Sequence, residues 1–217
     1  MGSAETHNQS REAVLARIRA ALKAQAVRPE PATHSPVFPP VGKDLLATFH
    51  AACAANLMEL VVTRSWDETA GALRAALTSV PTGEVFVEDA PELRQSVDSL
   101  ETPVRWSSKG IPQENAVATI TGCEALVAAT GTIVVASERG GRGGSVVAPC
   151  HIVVARESQL VPDLEAAFAH LRAESIAERN SFVGFITGCS RTADIEKIIV
   201  IGAHGPRRVV VILQMDS

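Results

Sequence analysis

The run Gly188-Cys189-Ser190-Arg191-Thr192-Ala193-Asp194-Ile195-Glu196 leads into the apolar stretch Ile198–Ile201. A glycine-bearing turn, Gly202-Ala203-His204-Gly205-Pro206-Arg207-Arg208, then opens onto Val209–Leu213. Two further stretches upstream have the same character. They are Ala129-Thr130-Gly131-Thr132 before Ile133–Ala136, and the run from Gly140 to His151 before Ile152–Ala155. Each stands at the edge of a Val/Ile-rich segment of strand length, so the polar chemistry sits on loops that strands deliver. A rigid α/β scaffold presents its site in this way.

Working outward, strand and helix patterns alternate with short links. Lys43–Asn56 carries a helical stripe of Leu45, Leu46, Phe49, Ala52 and Cys53. Met58–Thr63, Glu84–Glu88 and Pro103–Trp106 read as strands, separated by helical patterns over Trp66–Thr78 and Pro91–Leu100. Pro91 suits a first helical turn. This order predicts parallel βαβ units. In the second half, Ala116–Ile120, Glu124–Ala128, Ile133–Ala136, His151–Ala155, Phe182–Ile186, Ile198–Ile201 and Val209–Leu213 read as strands. The short polar turn at Thr130–Thr132 predicts a hairpin or sharp bend. Val161–Ala173 reads as a helix with Leu164, Phe168 and Leu171 inward, Thr192–Lys197 as a short helix, and Ser137–Pro149 as a long loop.

The N-terminal region differs. Val14, Leu15, Ile18, Ala21 and Leu22 recur at helical spacing behind Ser10, a suitable N-cap. Five prolines between residues 28 and 41 then forbid a helix. The expected organisation is an N-terminal helix and Pro-rich linker over residues 1–41, then an α/β domain over 42–217. The helix packs on its own domain or docks on a partner, and the sequence leaves both open.

Composition excludes several classes. The chain is 46 % hydrophobic, enough for a core, and its net charge of -4 lacks the basic balance of a nucleic-acid binder. With 4 % aromatics and no tyrosine, base-stacking platforms are not expected. No apolar run is long enough to span a bilayer, and the polar N-terminus has no signal-peptide core, so a cytoplasmic protein is expected. Cys53, Cys123, Cys150 and Cys189 are widely spaced with no C-x-x-C pair, so neither an iron–sulfur cluster nor zinc is expected, and no other cofactor is implied.

Candidate site residues follow from the loops. Thr130, Gly131 and Thr132 offer backbone N–H groups and two hydroxyls to an anion, or form a tight turn needing positive φ. Arg142 is a cation in a glycine-rich loop that matches neither the dinucleotide nor the phosphate-loop pattern. It closes over an acidic ligand or lies on the surface. Ser190 and Thr192 are candidate helix caps. With Arg191 they would form an anion site, and Asp194 and Glu196 add carboxylates. His151 and His204, beside Gly205, are loop-borne histidines suited to titration or to orienting a carboxylate.

These motifs, in this order, resemble the lactate utilization protein C family, also described as the LUD domain. The resemblance runs through Ala129–Thr132, Pro149-x-His151–Val154, Gly188-x-Ser190–Glu196 and Gly202-x-His204–Arg207, and includes Ser10–Glu12 with Ile18–Leu22. It departs at Cys189, where the family often has proline, and at Ala129, where an acidic or polar residue is common. The resemblance implies an open, mostly parallel sheet with helices on both faces, similar to the sugar-phosphate isomerase and CoA-transferase superfamily. It also implies a part in oxidising L-lactate to pyruvate beside iron–sulfur companion proteins, with a small carboxylate or phosphate as ligand. The alternative is a stand-alone CoA-transferase-like or isomerase-like enzyme acting on an anionic metabolite. For such a nucleophile the loops offer Glu138 and Glu196, and no motif selects one.

Overall fold

Segments rich in Val, Ile and Leu zip together into a six-stranded parallel sheet that organises residues 41–217. The computed structural model describes residues 2–23, 41–98, 100, 102–110, 115–193, 199–202 and 204–216. The chain divides into two units, Met1–Pro40 and Val41–Ser217. Within the first, α1 spans Gly2–Lys23, starting earlier than the Ser10 cap implied, and its Val14 and Ile18 are exposed. The proline stretch of the expected linker lies outside the described residues.

The second unit opens with α2 (Leu45–Ala55), β1 (Glu59–Thr63), α3 (Trp66–Thr78), β2 (Glu84–Val87), α4 (Pro91–Val97), β3 (Val104–Trp106) and β4 (Ala116–Thr121). It continues with β5 (Ala125–Val127), β6 (Thr132–Ala136), α5 (Ser137–Gly140), β7 (Cys150–Arg156), β8 (Leu160–Val161), α6 (Leu164–Ala173) and α7 (Ile176–Arg179). Last come β9 (Val183–Ile186), β10 (Arg191–Ala193), β11 (Ile199–Ile201) and β12 (Arg208–Gln214). Side chains start two of the helices cleanly. Asp44 accepts from Ala47 N at 2.8 Å, and Asp163 accepts from Ala166 N at 2.8 Å. Each such cap is worth about 1 kcal/mol.

The large sheet has the order β1-β12-β7-β4-β2-β3, every pairing parallel. A second sheet, β8-β5-β6-β9, is mixed, with β5 and β6 forming the expected hairpin. Alternation along the strands assigns the faces. Ile152, Val154, Val210 and Ile212 pack with Leu73 of α3 and Leu93 of α4. Their neighbours Val153, Ala155, Val209, Val211 and Leu213 pack with Phe49 and Cys53 of α2 and with Leu126, Ile133 and Val135 of the smaller sheet. The far face of that sheet, Ala125, Val127 and Val134, is covered by Ala167 and Leu171 of α6 and Ile176 of α7. The α/β fold with a mostly parallel sheet and helices on both faces is therefore present, with a second sheet interleaved on one side. A one-residue slip of β7 or β12 would exchange the two cores, so the register is tightly specified.

Four local expectations change. The helix expected from Val161 starts at Leu164, because Leu160–Val161 pairs with β5, Pro162 intervenes and Asp163 caps. Phe168 is 46 % exposed rather than inward, its ring 5.1 Å from that of Phe185. Ser137–Gly140 is a helical turn instead of loop. Thr192 and Ala193 belong to β10, paired antiparallel with β11, and not to a helix. Asp194 and Glu196 lie outside the described residues.

Candidate functional site

The Thr130–Thr132 turn abuts the end of α2. Gly131 has φ +64°, and a Cβ there would fall 2.9 Å from the Ala52 carbonyl carbon. Both the backbone conformation and the close approach require glycine. The Asn56 amide donates to the carbonyls of Ala52 and Thr130, each at 2.9 Å. The hydroxyls of Thr130, Thr132 and Thr187 form a chain with two 2.7 Å links. The threonines are thus engaged with one another and with the hairpin's own framework.

The Gly188–Arg191 segment meets α2 at the same place. Gly188 has φ +96°, with room for a Cβ denied by the Asn56 carbonyl oxygen 2.6 Å away. Arg191 Nη2 donates to that oxygen at 3.0 Å, and Cys189 Sγ donates to the Leu57 carbonyl at 3.3 Å. A guanidinium on the carboxyl end of a helix complements its dipole. Ser190 is fixed through its backbone: its N–H donates to the Pro206 carbonyl, and its carbonyl accepts from Gly202 N. Gly205 lies against Ser190, where an added Cβ would be 3.1 Å from the serine Cβ. His204 is exposed. The helix N-terminus expected to bind an anion at Ser190–Thr192 is replaced by a strand edge.

Two sequence-selected loops therefore meet at Asn56 and Leu57, and the third, carrying Gly205 and Pro206, joins them through Ser190. They do so at the amino-terminal end of the large sheet, where β1 and β12 begin. Arg142 stands apart, donating to the Ser181 carbonyl at 3.2 Å. Glu138 is half exposed and pairs with Arg179 at 3.5 Å.

A second polar group lies on β4 and β7, whose side chains here face away from α3 and α4. His151 is fully buried, with Nε2 2.9 Å from Thr121 Oγ1. That hydroxyl donates to the Gly122 carbonyl at 2.9 Å. We assign its one hydrogen to the Gly122 carbonyl, which makes Nε2–H the donor to Thr121 and leaves Nδ1 as an acceptor. Burial pulls the imidazole down to about 4. Gly122 N–H in turn donates to Glu88 Oε2 at 3.2 Å. Glu88, only 8 % exposed, follows β2, and Gly140 approaches so closely that a Cβ would stand 3.4 Å from Oε2.

The position of Glu88 matters topologically. From β2 the chain goes outward to β3, returns to β4 on the other side of β2, and continues to β7 and β12. The carboxyl ends of β2 and β4 thus flank the switch point, where open α/β sheets bind ligands. Sequence reasoning missed Glu88, although an acidic residue directly after the apolar strand Val85-Phe86-Val87 was a usable signal. A separate cavity of about 290 Å³ opens beside Glu124, Gln159, His170, Glu174 and Arg179, and among the described residues no sequence-selected one lines it.

The four cysteines are free and buried. Burial pushes the Cys53 thiol up to about 12 and raises Cys123 and Cys150 as well, so these thiols are protonated at neutral pH. Among the described residues no three His, Cys, Asp or Glu side chains gather as a metal set.

The family model of the LUD domain matches residues 46–214. The chain belongs to the LUD domain family. The match takes in both sheets and all three converging loops. This LUD protein is 30 % identical to "Lactate utilization protein C" of Bacillus subtilis over 80 % of this chain and 79 % of that one. It is 29 % identical to the protein of that name from Geobacillus thermodenitrificans over the same shares, and 34 % identical to that from Deinococcus radiodurans over 57 % and 58 %. A crystal structure of a DUF162 family protein from Deinococcus radiodurans shares the fold. Its TM-score is 0.63 at 23 % identity, covering 79 % of this chain and 96 % of that one. No described helix of the LUD protein is long and apolar enough to cross a membrane.

Proposed function

We propose that this LUD protein is a subunit of a lactate-utilization system, taking part in the oxidation of L-lactate to pyruvate with iron–sulfur companion proteins in the cytoplasm. The observation that carries the reading is its similarity to lactate utilization protein C over four-fifths of both chains. In this reading the protein binds the small carboxylate or docks the companions, and the companions accept the electrons. Its buried and dispersed cysteines support that division of labour. The test is lactate-dependent reduction of an artificial acceptor by the companion proteins, with and without this chain. Turnover that needs the chain supports the reading, and equal turnover without it defeats it.

One observation favours a second reading, an enzyme acting by itself on an anionic metabolite as CoA-transferase-like or isomerase-like proteins do. A buried carboxylate at the switch point, Glu88, held between glycines of two loops, is a plain candidate for acid–base or nucleophilic work. It replaces Glu138, which is exposed and ion-paired. Glu88→Gln decides between the two. Loss of a reaction run by the isolated chain favours the enzyme. Unchanged function of the reconstituted system favours the accessory subunit.

A further inference from the structure

We infer that His151 and Thr119 form the floor of a binding site for the hydroxyl group of a small hydroxy acid, beside the Gly140–Pro149 loop. The inference rests on the lactate reading only for which acid is bound.

Thr119 and His151 are register partners on adjacent parallel strands, both with no exposed surface. Neighbouring strands run about 4.8 Å apart, so the two side chains are adjacent on one face. Ala118 and Ile120 flank Thr119, and Ile152 follows His151, with their side chains turned to α3 and α4. That places Thr119, Thr121 and His151 on the opposite face. There, His151 Nδ1 and Thr119 Oγ1 are buried without a hydrogen-bond partner among the described residues. Buried polar atoms are nearly always satisfied, and one left unpaired is a cost that a purely structural position sheds readily, since valine has the shape of threonine.

The tautomer narrows the chemistry. With Nε2–H assigned to Thr121, Nδ1 demands a donor. Thr119 offers a hydroxyl that either gives or accepts. One group satisfies both atoms at once: an O–H that donates to Nδ1 while accepting from Thr119. A keto oxygen accepts only and leaves Nδ1 bare, and a methylene serves neither. A site with such unmatched polar atoms rejects the analogue lacking the hydroxyl.

The glycine loop starts at Gly140 against Glu88 and ends at Pro149, whose carbonyl is held by Arg207 and Arg208, and Cys150 and His151 follow directly. It therefore joins the two ends of the polar ladder Glu88–Gly122–Thr121–His151. The loop holds Gly141 at φ +66° and exposes Val146 and Val147.

The experiment is calorimetric titration of the full chain with L-lactate, glycolate and L-malate, beside propionate and pyruvate, at neutral pH. Thr119→Val is run in parallel, with melting temperatures recorded. The expected result is that at least one hydroxy acid binds about tenfold or more tighter than both non-hydroxy acids. In Thr119→Val that preference disappears, while the melting temperature stays level or rises. The inference is overturned if the acids bind alike or none binds. It is also overturned if Thr119→Val lowers the melting temperature and keeps the preference, the mark of a structural water. Preference for glycolate or malate over lactate counts against the metabolic reading and leaves the hydroxyl site standing. Chain-dependent lactate turnover without any hydroxyl preference does the reverse.

Discussion

Arg191 and Asn56 are 135 positions apart in the chain, yet the guanidinium Nη2 lies 3.0 Å from the asparagine carbonyl oxygen. This contact fastens the loop after β9 to the carboxyl end of α2. The arginine is exposed, so solvent screens the bond, and the helix-end interaction is worth about 0.3–1 kcal/mol. Arg191→Ala should therefore lower the melting temperature slightly and leave hydroxy-acid affinity unchanged. Calorimetric scanning and titration of the same variant check both halves. A large loss of affinity at unchanged stability would return Arg191 to a ligand role.

Glycines at the junction should be far less replaceable than glycines elsewhere. Gly131→Ala would push a Cβ to 2.9 Å from the α2 backbone, and Gly188→Ala to 2.6 Å from the Asn56 carbonyl oxygen, each at positive φ. Gly110 also has positive φ, +127°, but among the described residues an added Cβ would meet nothing within 4 Å. Backbone strain of about 1–3 kcal/mol applies to all three, and the clash adds to it only at the junction. Denaturant unfolding should rank Gly131→Ala and Gly188→Ala well below Gly110→Ala. Equal losses would show that the approach to α2 carries no energy.

Much of this architecture was legible because its signals are local. Trp66–Thr78 carries its own cap at Ser65 and an apolar stripe, and β7 and β12 are near-continuous Val/Ile runs, as buried parallel strands are. What failed depended on partners distant in sequence. Thr192 looks like a cap until Val200 pairs with it across the β10–β11 ladder. Phe168 fits a core stripe, but α6 presents it at the sheet edge beside Phe185. The convergence of Gly131, Gly188 and Gly205 was anticipated only as glycine loops at strand ends. Asn56, which joins the loops of Gly131 and Gly188, carries no sequence signal. Glu88 gains meaning only from strand order, which periodicity does not provide.

At the amino-terminal edge of the sheet, Arg208 binds Glu59 through two bonds, 2.6 and 2.7 Å, and donates to the Ala76 carbonyl and Ser79 hydroxyl at 2.7 Å. One side chain thereby ties the starts of β12 and β1 to the end of α3. Hydrogen bonding to Arg208 holds the Glu59 carboxyl below its ordinary value. Glu59 is half exposed, so its charge contributes little after screening. The loss on Arg208→Met should come mainly from the abandoned α3 carbonyl and serine, about 1–2 kcal/mol by ordinary hydrogen-bond values. Glu59→Gln should cost less. Chemical denaturation of the two variants tests the order, and the reverse ranking would place the energy in the ion pair.

His151 gives the protein a pH dependence of defined sign. Burial lowers its pKa from 6.5 to about 4. The unfolded chain therefore takes up a proton near 6.5 that the folded chain resists until about 4. Above 6.5 neither state is protonated and stability is at its plateau. Between these values the unfolded state holds more protons, so stability falls as pH falls. The full loss is on the order of 3 kcal/mol, from about 1.4 kcal/mol per unit. The lowered carboxyls, Glu59 and Asp89, act in the same direction but at lower pH, since their contribution is lost only as they become protonated. The span from about 5 to 6.5 is thus the place to look for the histidine. Equilibrium unfolding across that span should show stability declining toward acid in the native sequence. His151→Gln, which keeps a donor for Thr121, should flatten the curve there. A native curve already flat between pH 5 and 6.5 would mean that the imidazole is charged or solvated in the folded state. That would also remove the bare Nδ1 acceptor on which hydroxyl recognition depends.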